Sequence, residues 1–289
     1  MKIFKYITLI GILAGLLFPS CTKVEEPYYT VKSVYADTNM RSVILEDYTG
    51  HKCVNCAPAA RMAQSIQELY PNQVFVISVH AGSFAQPDSV KYGGILKDDF
   101  RCTTGNDWYN YSLFKIDQNP KGMVNRALYN GKISAVPSQW AGAVSVAVKQ
   151  PKLAILTIKN VYNAGTKSLA IHIGTKFLQG ISGQVNLCVC ILEDSIYGGQ
   201  LNSVPGDSIP YYKHFCFMDV LRGSVNGSWG DLLTTDPDEN TIITKDYTFL
   251  FNTQPTWIPG NCNIVAFLMN SETKEILHAA KMPVVNVTL

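Results

Sequence analysis

The hydrophobic pattern changes character several times along the chain. Ile7 to Phe18 is a continuous apolar run that follows Lys2 and Lys5. A positive start and an apolar stretch too short to span a bilayer comfortably predict an export signal rather than part of the fold. Val43-Ile44-Leu45-Glu46-Asp47-Tyr48 reads as a strand and Thr49-Gly50-His51-Lys52 as a turn. From there Ala59, Met62, Ala63, Ile66, Leu69 and Tyr70 recur with the period of an amphipathic helix, with Arg61, Gln64, Ser65, Gln67 and Glu68 on the other face. Pro58 suits the first turn, where a missing N–H costs nothing, and Pro71 ends the helix. Val74 to His80 is a continuous apolar run, as in a parallel strand buried on both faces. Strand, helix and strand with short connections predict a right-handed βαβ unit.

Residues 83–115 are rich in glycine and aromatic residues and carry little helical signal. A strand is expected over Gly122–Leu128 and a hairpin turn at Asn130-Gly131. A helix over Ser138–Lys149 would place Trp140, Ala143, Val144 and Ala147 on one face. After Pro151 the period shortens. Leu153–Tyr162, Ser168–Phe177, Val185–Glu193, Tyr247–Phe251, Asn263–Met269 and Ile276–Val285 read as strands, several separated by Gly-, Asn- or Pro-bearing turns. That is the signature of an antiparallel β-sandwich. A length of 289 residues is comfortable for two domains. The expected division is a signal peptide over 1–20, a tether and first strand over 21–35, an α/β domain over 36–150 and a β-sandwich over 151–289.

A formal charge of +2 with 16% charged residues gives no basic stripe, so a nucleic-acid partner is not expected. The apolar run ends at Pro19-Ser20-Cys21. A small residue followed by Cys resembles a lipoprotein signal, although Phe18 and Pro19 depart from the usual pattern. Cleavage before Cys21 would leave a lipid-modified N-terminus on the polar tether Thr22 to Pro27; an ordinary secretory signal is the alternative. Burying acyl chains holds a protein on a membrane at roughly 0.8 kcal/mol per methylene. The expected partner is therefore a membrane, reached through Cys21; an outer-membrane location, facing the periplasm or the surface, is what the family resemblance given below implies.

Of eight cysteines, Cys53 and Cys56 form a C-x-x-C at the start of the first helix. Unpaired N–H groups and the helix dipole stabilise a thiolate there. Cys53, at the exposed end, is expected to attack, and Cys56, one turn inward, to resolve the mixed disulfide. Lys52, and His51 when protonated, would favour the thiolate. A plain structural disulfide is the competing interpretation. A zinc site would need four ligands, and no second C-x-x-C or H-x3-H accompanies the pair, so no metal or cofactor is expected. Cys102, Cys188, Cys190, Cys216 and Cys262 remain, an odd number. Cys188 and Cys190 fall on one face of a strand at roughly 6.5 Å, an awkward reach for a bond. They are core thiols, or one pairs with Cys216 or Cys262.

The run from Val43 through the cysteine pair to His80, followed by Pro120 before a further strand, resembles the thioredoxin superfamily. The resemblance implies a cis-proline at Pro120 facing the cysteines and an acid at Asp47, beside Glu46, that assists proton transfer to the resolving thiol. The motif departs from it: Lys52-Cys53-Val54-Asn55-Cys56 has neither the aromatic before the first cysteine nor the intervening proline. Three segments, Tyr48–Cys56, Asn119–Arg126 and Val220–Gly230, are similar to the twenty-eight-kilodalton outer-membrane protein family of anchored lipoproteins. That similarity implies a thioredoxin-like domain followed by an immunoglobulin-like β domain, and a surface adhesin or receptor as the usual suggestion for its role.

His80 could face the cysteine pair, or be a hydrogen-bonded structural histidine. Trp108-Tyr109-Asn110-Tyr111 could form a lid or belong to the core. Arg222, Asn226 and Trp229 could be a binding patch or a loop packed on the sandwich. Two functions follow as expectations: a surface binding protein with a protein or host-surface partner, in which the disulfide is a staple, and a thiol–disulfide oxidoreductase of the envelope using Cys53, Cys56, Asp47 and Pro120.

Overall fold

The computed structural model describes residues 39–203, 211–254 and 256–285. The signal peptide, Cys21 and the tether lie outside the described residues. In chain order the elements are β1 (Val43–Thr49), α1 (Cys56–Leu69), β2 (Val74–His80), α2 (Thr103–Asn110), β3 (Lys121–Val124) and α3 (Pro137–Ala147). They continue with β4 (Ala154–Asn163), β5 (Ser168–Phe177), β6 (Gln184–Glu193), β7 (Ile196–Leu201), β8 (Tyr211–Phe217) and β9 (Val220–Ser224). The last four are β10 (Asp231–Thr235), β11 (Ile242–Leu250), β12 (Cys262–Asn270) and β13 (Ile276–Pro283). The protein is β-rich with few helices.

The first three elements form as their periods predict, and β1 and β2 pair in parallel from Val43↔Val74 to Thr49↔His80. β3 joins β1 antiparallel. It stops four residues earlier than the expected strand because Asn125 and Arg126 both adopt positive φ, near 50°. The Asn125 side chain stabilises that turn by accepting from the Ile44 amide at 2.8 Å. Asn130 and Gly131 both have positive φ between the paired Tyr129 and Lys132, the backbone that a tight hairpin requires.

The large sheet runs β13-β12-β6-β9-β2-β1-β3, with β10 also on β6. The boundary expected at residues 150–151 lies between α3 and β4, and this sheet carries strands from both sides of it. The described residues fall in one compact unit. Alternation along the strands explains how one sheet serves three cores. Ile44, Tyr48, Phe75, Ile77, Cys188, Cys190, Val265 and Phe267 share one apolar cluster with Trp108 and Phe114. On the other face of β1 and β2, Val43, Leu45, Val74 and Val76 pack on Ala59, Ala63 and Ile66 of α1 and Trp140 of α3. The alternate residues of β6 and β12 pack instead on the separate sheet β11-β5-β4, through Leu187, Val189, Ile264, Leu156, Ile171 and their neighbours. That packed pair of sheets is the sandwich half of the molecule.

Four strands escape the hydrophobic pattern. β7 contains Gly198 and Gly199, β8 carries Lys213 and His214, and β9 and β10 are five residues each. β7 and β8 form an antiparallel hairpin apart from the large sheet. Its position over the cysteine pair matters most for function.

Candidate functional site

The loop from β1 to α1 is pinned before chemistry is considered. Cys53 N donates to Gly50 O at 3.0 Å, Cys56 N donates to Cys53 O at 3.2 Å and Lys52 N donates to Phe84 O at 3.0 Å. A side chain at Gly50 would meet the Phe84 carbonyl carbon at 2.5 Å, so glycine is required for this close approach. Cys53 and Cys56 are joined by a disulfide, with Cα atoms 5.4 Å apart, and α1 starts at Cys56.

Neither cysteine is exposed. Cys53 retains 4% of its accessible surface and Cys56 1%. The expectation of an exposed Cys53 is thus corrected. The cover is β7 and the two residues after it. Gln200 Nε2 donates to Cys53 O at 2.9 Å, Leu201 N to His51 O at 2.8 Å, and Ser203 Oγ to Asn55 Oδ1 at 2.8 Å. These bonds go largely to backbone carbonyls, which leave no mark in a side-chain pattern.

Asp47 sits two residues beyond Leu45 on β1 and therefore on the α1 side of the sheet. It is fully buried, and among the described residues neither carboxylate oxygen has a hydrogen-bonding partner. Burial alone raises its pKa from 3.8 to about 7. Glu46, next in line, faces the opposite way. It accepts from Arg126 Nη2 at 2.6 Å and from Nε at 3.1 Å, and the guanidinium lies over the rings of Trp108, Phe114, Trp229 and Phe267 at 4.4 to 5.9 Å. Glu46 is held in a buried ion pair, and the significance of Arg126 is not evident from the sequence.

The Asn119–Pro120 bond is cis. Pro120 and Asn119 line a groove of about 390 Å³ with Asn55, Pro58, Met62 and Val136. Pro120 thus lies against the residues around the cysteine pair.

His51 is buried, and burial lowers its pKa from 6.5; its Nε2 lies 3.0 Å from Gln86 O. It does not supply the positive charge expected beside Cys53 at neutral pH. His80 is 3% exposed, and a hydrogen bond to the Ser78 backbone acts on its ring. Phe100 and Phe217 flank its ring edge-on at 5.2 and 5.4 Å, and desolvation by burial lowers its pKa to about 3. A buried histidine bonded to the backbone of its own strand fits the structural reading. His80 and Cys56 line one cavity of about 290 Å³ between α1 and β8.

The remaining candidates are structural. Trp108 is wholly buried and donates from Nε1 to Ser228 O at 2.6 Å. Arg222 pairs with Glu193 at 3.1 Å and stacks 5.0 Å from the Trp257 centroid. Asn226 braces its own loop, accepting from Val189 N at 2.9 Å and donating to Leu187 O at 2.8 Å, and Trp229 packs on Tyr111 at 4.9 Å. These three hold loops together rather than form a patch. Cys102, Cys188, Cys190, Cys216 and Cys262 are free thiols, and Cys188 and Cys190 share the core face expected of them. Burial pushes Cys102 up to about 11 and Cys188 to about 12, which leaves both protonated and unreactive at neutral pH. Among the described residues no group of three or more His, Cys, Asp or Glu could hold a metal ion.

No curated protein matches the chain in sequence. Among solved structures, HBP35 of Porphyromonas gingivalis superposes with a TM-score of 0.63 at 17% identity, over 86% of this chain and 76% of that one. A protein of Agrobacterium tumefaciens superposes at 0.51 with 10% identity, over 86% and 96%. A domain of the outer membrane lipoprotein Omp28 from Porphyromonas gingivalis is 20% identical over 46% of this chain and 88% of that one, at a TM-score of 0.31. At such identities the first two show a shared fold and nothing more. The sequence profile of the outer membrane protein Omp28 family matches residues 108–288, a span that begins after the cysteine pair. Because that span is more than half of the sequence, the chain belongs to the Omp28 family of outer membrane proteins and is exported and associated with the outer membrane.

Proposed function

We propose that this is an envelope lipoprotein, anchored through Cys21, whose Cys53–Cys56 pair exchanges disulfides on a thioredoxin-like scaffold, with Asp47 carrying the proton. The parallel β1-α1-β2 unit, the cysteine pair at the start of α1 and Pro120 against that loop support the scaffold. The single observation that carries the redox function is Asp47, a fully buried carboxyl with no partner among the described residues. Burying such a group costs several kcal/mol when it is charged, so it is held near neutral pH in balance between its two forms. A structural staple has no use for that cost. A proton carrier does.

In the reduced protein one cysteine thiolate, favoured by the start of α1, attacks a substrate disulfide and forms a mixed disulfide. The other thiol passes its proton to Asp47 and attacks in turn, which restores Cys53–Cys56 and releases the reduced substrate. Nothing else near the pair has the right proton affinity, since burial keeps His51 and His80 neutral.

A second reading, a non-catalytic surface binding protein on the same scaffold with a protein or host-surface partner, is favoured by one observation: both cysteines are buried, with Cys53 held under β7. A redox titration of the mature protein, with thiol trapping of Cys53 and Cys56 peptide by peptide, separates the two. A potential in the range of roughly −120 to −270 mV is expected of an exchanging pair, whereas resistance to reduction below about −300 mV would make the bond a staple.

A further inference from the structure

The hairpin closes one approach to the disulfide and leaves another. Cys53 is held under β7, with its carbonyl bound by Gln200. Cys56 instead lines the cavity of about 290 Å³ between α1 and β8. Its inner wall holds His80, nearly completely buried, with its ring bonded to the Ser78 backbone. A neutral imidazole that donates one ring N–H to a backbone carbonyl keeps its other nitrogen as an acceptor for a donor from a ligand. The rim carries Arg61 and Glu68, both exposed on α1, and Phe217 makes part of the wall apolar. A space of this size suits a small molecule.

We propose that this cavity admits a low-molecular-weight thiol bearing carboxylate and amino groups, of the cysteine type, and that it reacts at Cys56 rather than Cys53. The proposal rests on the redox function above and deepens it. His80 accepts the S–H of the incoming thiol, Arg61 takes its carboxylate and Glu68 its ammonium. The ligand thiol gives its proton to solvent and its thiolate attacks Cys56 Sγ; a bond forms between the two sulfurs, and the Cys53–Cys56 bond breaks. Cys53 leaves as the thiolate at the start of α1, and the sulfur whose thiolate is stabilised is the better leaving group. A second molecule of the thiol attacks the ligand sulfur of the mixed disulfide, and Cys56 leaves and is protonated. Two thiols are oxidised to one small disulfide, and the protein disulfide is reduced to two thiols.

The reverse step gives the cleanest test. Cys53→Ser and Cys56→Ser variants of the mature protein are each treated with L-cystine and, separately, with the neutral hydroxyethyl disulfide. Mixed-disulfide formation is followed by peptide-resolved mass spectrometry, which separates the pair from Cys216 and the other free thiols. The ratio of the two rates cancels the intrinsic reactivity of each thiol. At Cys56 this ratio is expected to exceed that at Cys53 by about tenfold, as an interaction worth about 1.4 kcal/mol with charged groups would give. Arg61→Ala should abolish the preference at Cys56 and leave Cys53 unchanged. Equal ratios, a preference at Cys53 or no effect of Arg61→Ala would each overturn the proposal. His80→Phe, which fills the cavity, should slow both reagents at Cys56 only, and unchanged rates there would count against the cavity as the route. If the wild-type bond resists all reduction the redox function fails, while the variant rates still decide which cysteine the cavity serves.

Discussion

Glu46 and Asp47 are consecutive residues of one buried strand, yet the two faces of β1 treat their carboxylates in opposite ways. On one face Glu46 meets the forked guanidinium of Arg126, itself enclosed by four aromatic rings. On the other, Asp47 meets no hydrogen-bonding partner among the described residues and shares the α1 side with the disulfide. A protein able to neutralise one buried carboxylate so fully has left its neighbour bare. The difference separates a paired, enclosed carboxylate from a bare one whose proton affinity burial raises, and alternation along the strand is what allows both within one peptide bond of each other.

The largest expected effect falls on the Glu46 face. Arg126→Met leaves Glu46 buried and unpaired, which should cost about 3–5 kcal/mol in urea unfolding. The companion change Glu46→Leu in the same chain should recover much of that loss, because an apolar pair can replace a buried ion pair at little cost. A double variant as unstable as Arg126→Met alone would mean that the guanidinium matters for its ring contacts and not for Glu46.

Asp47→Asn should act in the other direction. The unfolded carboxyl ionises near 3.8 and the folded one near 7. The folded state therefore holds a proton that the unfolded state has lost, and stability falls as pH rises through that window. Removing the charge should stabilise the protein above pH 7 by on the order of 4 kcal/mol and change little below pH 4. The same variant should slow disulfide exchange at Cys56. Stability gained together with exchange lost is the mark of a functional cost, and unchanged exchange would sink Asp47 as the proton carrier.

His80 and His278 give an opposite pH dependence. Each is buried and neutral, with its pKa lowered from 6.5 to about 3 by burial. The unfolded imidazoles take protons first as the solution is acidified, so stability present above pH 6.5 is lost as pH falls through that window toward 3. His278 accepts a hydrogen bond from Ser42 N, whereas His80 accepts none among the described residues. His80→Phe should remove one of the two acid-side losses in urea midpoints measured from pH 7 to 4. His278→Phe should remove the other and, in addition, cost roughly 1 kcal/mol at pH 7 for the orphaned Ser42 amide.

Much of this site could be read along the chain because its elements are local. The period of α1, the apolar run of β2 and the Asn130-Gly131 turn each follow from a few consecutive residues. Asp47 was reached only through a resemblance, since its meaning lies in the absence of a partner, which no pattern records. Arg126 stood within a quoted motif, but the rings that surround it come from α2, the loop after it, β12 and the segment after β9. The cover over the cysteines was invisible for a related reason. Gln200 and Leu201 reach carbonyl groups of His51 and Cys53 across about half the sequence, and the two glycines of β7 weaken any strand signal.

The hairpin gives the smallest expected energy and the sharpest structural readout. A methyl group at Gly199 would collide with the backbone carbonyl of Ile95, so β7 must lift from its seat in Gly199→Ala. Gln200→Ala keeps the seat but removes the donor to Cys53 O, at an expected cost of about 1 kcal/mol. If the hairpin is a cover, both variants should speed the reaction of Cys53 with a bulky maleimide in a Cys56→Ser background, Gly199→Ala by more, and Gly199→Ala should leave the buried thiols Cys188 and Cys190 as slow as before. Faster labelling at all three cysteines would mean that the change had loosened the whole sheet. Faster labelling at Cys53 alone would show that β7 shields the α1 side specifically, the side on which Asp47 waits without a partner.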